Sequence, residues 1–166
     1  MTTRTVIRYG VAFAAFGLAG AVQVTSARQT ATVPYPVEYR AWAVVKTSLV
    51  GPQARNFATR GGFHHFYAND QAMEGYRTGK FPDGSIIVDE GVTAEEAQGV
   101  TSEKGRRSID VMHKDGSRFQ ATGGWGYDHF DGDSQTSVAS AEARTACFTC
   151  HSQRKDHDFV YSTFRR

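Results

Sequence analysis

The sequence predicts an α+β domain, mostly antiparallel sheet with a few helices, the C-terminal one carrying a chemical motif. Three observations carry that prediction. Ser108-Ile109-Asp110-Val111-Met112-His113 alternates with period two, and Ser85 to Val88 is rich in β-branched residues. Phe63-His64-His65-Phe66-Tyr67 and Trp125 to Phe130 have the aromatic content of strands. The 166 residues, 40% hydrophobic with 11 Phe, 7 Tyr and 2 Trp, supply enough apolar material for one core, and residues 28–166 read as a single domain.

The first 27 residues read as an address. Arg4 and Arg8 form a basic start, the apolar stretch from Tyr9 to Val22 follows, and Thr25-Ser26-Ala27 supplies small residues for cleavage near Ala27. That stretch is shorter than the roughly 20 residues a spanning helix needs, so a signal peptide and a periplasmic location are expected, with an uncleaved anchor as the alternative. The segment holds no acid, and the remainder balances 17 basic against 17 acidic groups. A near-neutral chain has no strongly basic face for nucleic acid.

Beyond Arg28, Pro34 and Pro36 mark an extended lead-in, and the aromatic-rich segment from Tyr39 to Val50 reads as helix turning to strand. Gly51 to Gly62 is a polar loop before the strand at Phe63–Tyr67. Asn69 or Asp70 caps a helix that runs through Gln71-Ala72-Met73-Glu74 and stops at Gly79. Pro82-Asp83-Gly84 is a turn, and strand Ser85–Val88 follows it. The Asp115-Gly116 turn after His113 suggests a hairpin with Arg118 to Thr122 returning, and Trp125–Phe130 continues as strand. Ser137 to Cys150, free of Gly and Pro, reads as helix.

Both cysteines lie in Cys147-Phe148-Thr149-Cys150-His151, the form of a c-type haem attachment site. Two thiols three positions apart on a helical turn can both add to haem vinyl groups, and the next residue, His151, is then carried under the iron as its proximal ligand. The spacing thus predicts one covalent haem c on Cys147 and Cys150. A thioredoxin-type pair shares the spacing but wants a parallel βαβ context, and a zinc site wants a further distant ligand.

What stands across the iron decides function. Met73, Met112, His64, His65, His113, His129 and His157 are the candidate sixth ligands, and ligation by one of them would make an electron carrier. His113 and His129 lie near turns and read as surface groups, and Met112 reads as core. On a strand His64 and His65 point to opposite faces, so one of them can enter a pocket as a polar distal group. Phe66 or Phe63 could cap a bound ligand. Asp89 or Glu90, again on opposite faces, could serve as a distal base, or both could mark a strand end. Arg144, Arg154 and Lys155 could pair with haem propionates or form a solvated cluster.

Several landmarks resemble the cytochrome P-460 family, which includes cytochrome c′-beta. They are Tyr39-Arg40-Ala41-Trp42, Phe66-Tyr67-Ala68-Asn69, the run from Tyr76 to Ser85, Val111 to Asp115, Gly123-Gly124-Trp125-Gly126-Tyr127, Cys147 to His151 and Asp158-Phe159-Val160-Tyr161. The resemblance covers nearly the whole mature chain. It implies a mostly β fold, a single covalent haem, a homodimer and an iron open on its distal side, with nitric oxide, carbon monoxide or hydroxylamine as ligand and a redox partner protein where electrons are passed on. It also implies, for the hydroxylamine-oxidising members, a lysine cross-linked to the haem in the strand after the Pro-Asp-Gly turn. Here Ser85-Ile86-Ile87-Val88-Asp89-Glu90 holds no lysine, and Lys80 and Lys104 only flank it. That difference favours ligand binding, with oxidation of nitrogen compounds as the alternative.

Overall fold

A computed structural model describes Met1 and residues 31–164. The expected signal peptide therefore lies outside the described residues, apart from Met1. Five strands, β1 (Ala43–Val50), β2 (Gly62–Ala68), β3 (Ile86–Ala97), β4 (Val100–Lys114) and β5 (Trp125–Asp131), form one sheet in sequential order. Every neighbouring pair is antiparallel. Three helices accompany it, α1 (Phe57–Arg60), α2 (Asp70–Thr78) and the C-terminal α3 (Ala141–His151). The predicted α+β class is the observed one, and no helix among the described residues is long and apolar enough to cross a membrane.

Most elements follow from local chemistry. The Tyr39–Val50 segment is a 3-10 turn at Tyr39–Ala41 running into β1, as its composition suggests. Asn69 is the cap of α2: its side-chain oxygen accepts from the Ala72 amide at 3.0 Å, and Gly79 ends the helix at φ 81°. The same oxygen accepts from the Ile86 amide, and its amide nitrogen donates to the Gly84 carbonyl, so Asn69 also ties α2 to β3.

Three local expectations are corrected. The Gly51–Gly62 loop contains the one-turn helix α1. Arg118 to Thr122 does not return as a strand; Asp115 Oδ1 accepts from the amides of Ser117 and Arg118, curling the chain into a 3-10 turn at Gln120–Thr122. The strand that pairs with β4 is β5, in the register Met112 to Tyr127 and Asp110 to His129. Ser137 to Ser140 lies outside α3, because the Ser140 hydroxyl accepts from the Ala143 amide and caps the helix there.

Alternation along the strands divides the sheet into two faces. Val88, Ile109, Val111 and Phe130 pack with Val33, Tyr39 and Phe119 on one side. Ala68, Ile87, Met112, Trp125 and Tyr127 pack on the other with α2 and the C-terminal segment through Phe159 and Val160. Residues 93–105 of β3 and β4 reach beyond the packed sheet as an exposed hairpin arm, turned at Gln98 and Gly99.

Candidate functional site

Registered neighbours line up in rows across the second face. Ala68, Ile87, Met112 and Tyr127 make one row, and Phe66, Asp89, Asp110 and His129 make the next, two residues along each strand. Two residues of strand correspond to about 6.6 Å, so an apolar row lies beside a charged one. α3 closes over them. Between sheet and helix is a cavity of about 630 Å³, lined by Phe66, Asp89, Asp110, Met112 and Tyr127 on one side and by Cys147, Cys150 and His151 on the other.

The helix spacing accounts for its wall. Positions 147, 150 and 151 are three and four apart and share one helical face. Both thiols are free, and burial raises the Cys147 pKa above the ordinary thiol value. His151 Nδ1 donates to the Phe159 carbonyl at 2.7 Å, which fixes the tautomer and leaves Nε2 free to ligate. Its ring lies against Tyr127 at 5.1 Å and Tyr161 at 5.3 Å between centroids. Burial lowers its pKa, partly offset by that carbonyl, and so favours the neutral form a metal requires.

The carbonyl is held in place by the run Asp158-Phe159, a landmark of the sequence to which no structural role was given. Asp158 and Phe159 both take the left-handed conformation, at φ 50° and 67°, which non-glycine residues adopt at a cost. Asp158 is tied down on every side. Its carboxylate accepts from the Phe81 amide at 2.9 Å and from Lys114 Nζ at 2.7 Å, and its carbonyl accepts from the Trp125 indole. A Cβ at Gly123 would lie 2.4 Å from the Phe159 ring, so that glycine makes room for it.

The charged wall gathers Arg60 from the end of α1, His64 from β2, Asp89 from β3 and Asp110 from β4. Arg60 pairs with Asp89 and, at 3.4 Å, with Asp110. His64 is 2% exposed, with Nδ1 2.8 Å from Asp89 and Nε2 2.8 Å from the Arg60 carbonyl, so neither ring nitrogen is free to ligate. Burial alone would raise the Asp110 pKa. The His129 hydrogen bond and the charges of His129 and Arg60 outweigh it and hold the carboxyl below its usual value.

Of the sequence candidates, the structure brings Cys147, Cys150, His151, Phe66 and Asp89 to this cavity, with His64 hydrogen-bonded behind Asp89. Glu90 is on the opposite face, 2% exposed and bound by the Tyr39 hydroxyl and Arg40. Neither acid marks a strand end, since β3 runs on to Ala97. Phe63 stacks on His65 away from the cavity, and His65 bonds Thr47 and Glu103. His113 is on the far face, His157 is exposed beside Asp156, and Met73 packs against the core without lining the cavity. Met112 lines it from within the apolar row. His129 is not a solvated surface group but is held between Asp110 and Asp131. Arg144 is not part of a solvated cluster: it is buried, does not line the cavity, and donates to Asp128 at 3.2 Å and to the Ser137 hydroxyl. Sequence reasoning missed Arg60, Asp110 and Tyr127. The alternation of β4 already placed Asp110 on the face of Met112.

The donor set suits a covalently held haem. Tyr127, whose buried hydroxyl has no hydrogen-bond partner, lines the cavity with the His151 imidazole and the two thiols. Among the described residues no cluster of three metal-binding side chains competes for an ion. A sheet-walled cavity presenting two thiols and a neutral imidazole from one helical turn defines the class of c-type haem proteins. Comparison with known families gives the particular kind: the family model described as Cytochrome P460 matches residues 36–162. The chain belongs to the cytochrome P460 family and is a haem c cytochrome. No curated protein matches it significantly.

Proposed function

We propose that the chain is an exported mono-haem cytochrome whose haem, attached through Cys147 and Cys150 and ligated by His151, keeps a distal face open to nitric oxide or related small nitrogen ligands. The observation that carries this reading is the state of the distal candidates. His64 has both ring nitrogens hydrogen-bonded, the remaining histidine candidates do not line the cavity, and Met112 sits in an apolar row.

The chemistry supplied by a bound haem is an iron that holds a small ligand and exchanges one electron. The chain's own residues do the rest. His151 offers Nε2 while the Phe159 carbonyl keeps its ring from turning. Phe66 narrows the wall and limits water. Arg60, held by two carboxylates, sets a fixed dipole at the ligand end of the cavity.

Oxidation of hydroxylamine is the second reading, favoured by the carboxylate of Asp89 on the cavity wall. Against it, β3 contains no lysine along its whole length. Lys104 lines a different surface pocket, and Lys46 sits 5.6 Å over the Phe66 ring.

The test is the absorption spectrum of haem-loaded protein, ferric and ferrous, before and after nitric oxide and carbon monoxide. A high-spin spectrum that shifts with each gas is expected, unchanged in spin state by Met112→Leu. Sharp low-spin bands indifferent to both gases would overturn the reading and make the protein an electron carrier. Hydroxylamine-dependent reduction of an added electron acceptor by the same sample would promote the second reading.

A further inference from the structure

We propose that Asp110, His129 and Asp131 form a proton outlet leading from the cavity to solvent; the proposal rests on the open distal face described above. Asp110 is a cavity-lining residue, whereas His129, its register partner on the edge strand β5, is not. Asp110 Oδ1 and His129 Nδ1 are 2.6 Å apart, and His129 Nε2 is 3.0 Å from Asp131 Oδ1. The Asp110 and His129 side chains are equally exposed, at 36% and 35%, and Asp131 at the outer end is 69% exposed. An imidazole held between two carboxylates, one on a cavity and one in solvent, has the geometry of a relay.

The neighbouring charges define why the outlet runs this way. Asp89 also meets the cavity, but Arg60 and the buried His64 occupy its oxygens. Asp110 has only the longer Arg60 contact at 3.4 Å beside its short bond to His129. From α3, Cys147 and His151 face the same wall. From β5, Asp131 and His129 complete the set. Thus both Asp89 oxygens are held at short range, whereas one Asp110 oxygen carries only the long Arg60 contact and is the one that can hold a proton in passing.

The step balances without redox change. A protic ligand entering the cavity breaks its bond to hydrogen and keeps the electron pair. The ring starts protonated on both nitrogens, each donating to a carboxylate. It first releases its Nε2 proton to Asp131 and then to water, while Asp110 takes the proton of the ligand. A turn of the ring then brings the bare nitrogen to Asp110, which hands its proton on and restores the starting state. The raised His129 pKa, caused first by its hydrogen bond to Asp110, is consistent with a ring that holds both protons at rest.

Hydrogen cyanide is a suitable probe, because it is undissociated at neutral pH and must lose its proton to bind ferric haem. Carbon monoxide, which moves no proton, is the reference on the ferrous form. Association rates are read from the spectrum for wild type, His129→Gln and the exposed variant Asp131→Asn. Expected is a fall of about tenfold or more in the cyanide-to-carbon-monoxide rate ratio for His129→Gln, with a smaller fall for Asp131→Asn. Wild type should also bind cyanide more slowly in heavy water, an effect lost in His129→Gln. Unchanged ratios and an unchanged isotope effect, with carbon monoxide uptake intact, would overturn the outlet and leave the open site standing. A wild type that takes up no carbon monoxide overturns the open site and the outlet with it.

Discussion

Asp128 accepts four hydrogen bonds at the wall of the cavity, from the Val33 amide at 2.9 Å, its neighbour His129's amide at 3.0 Å, the Ser137 hydroxyl and Arg144 at 3.2 Å. Its side chain is 0% exposed and that of Arg144 7%. Removing one member of such a pair strands the other charge in a poorly solvated place. Arg144→Ala is therefore expected to cost about 3–5 kcal/mol, read as a lowered urea midpoint with the haem still attached. A propionate partner on the surface would instead lose little stability. Sequence placed Arg144 near the haem motif but could not see Asp128, because the two meet only when β5 and α3 pack. Arg60 and Asp110 went unmarked for the same reason, since each reaches the cavity from a different element.

Elements were legible where the signal was local. Asn69 ahead of good helix formers marked the start of α2, and the structure adds that the same side chain anchors β3. Asn69→Ala should cost about 1–3 kcal/mol, more than an isolated cap, because two β3-side hydrogen bonds are lost with it. Thermal unfolding measures the difference, and Asn69→Asp, which keeps the accepting oxygen, should lose less. The first half of β4 was not legible. Thr101-Ser102-Glu103-Lys104 is polar on both faces of an exposed arm, so there is no alternation to read. Arg118–Thr122 misled in the opposite sense, since a turn signal at Asp115-Gly116 led into a 3-10 turn before the true return strand.

At the scale of the whole molecule, charge pairing sets a pH window. His129 has a raised folded pKa, caused first by its Asp110 hydrogen bond, so its contribution is complete below about 6.5 and is lost as pH rises through the folded value. Asp110 has a lowered one, so its contribution is present above its unfolded pKa of about 3.8 and is lost as pH falls through the folded value. The pair thus stabilises most between roughly pH 4 and 6.5. With both side chains about one-third exposed, solvent screening keeps this to about 1 kcal/mol or less. His113 and His151, held neutral by burial, act in the opposite direction below about 6.5. The melting temperature of wild type minus that of His129→Gln, followed across pH, isolates the pair. A difference that grows from pH 6 to 9 would contradict it.

The sequential order of the strands has a consequence for manufacture. Each strand pairs with the one made just before it, so the sheet can zip as the chain is delivered, nucleated by near neighbours. The helix bearing both thiols follows all five strands in the chain and packs over the wall that they build. Once it docks, the segment at Asp158 to Tyr161 lies across its end, with the Tyr161 hydroxyl donating to the Cys150 carbonyl. A chain delivered from its N-terminus therefore has its whole sheet in hand before the residues that would carry the cofactor arrive.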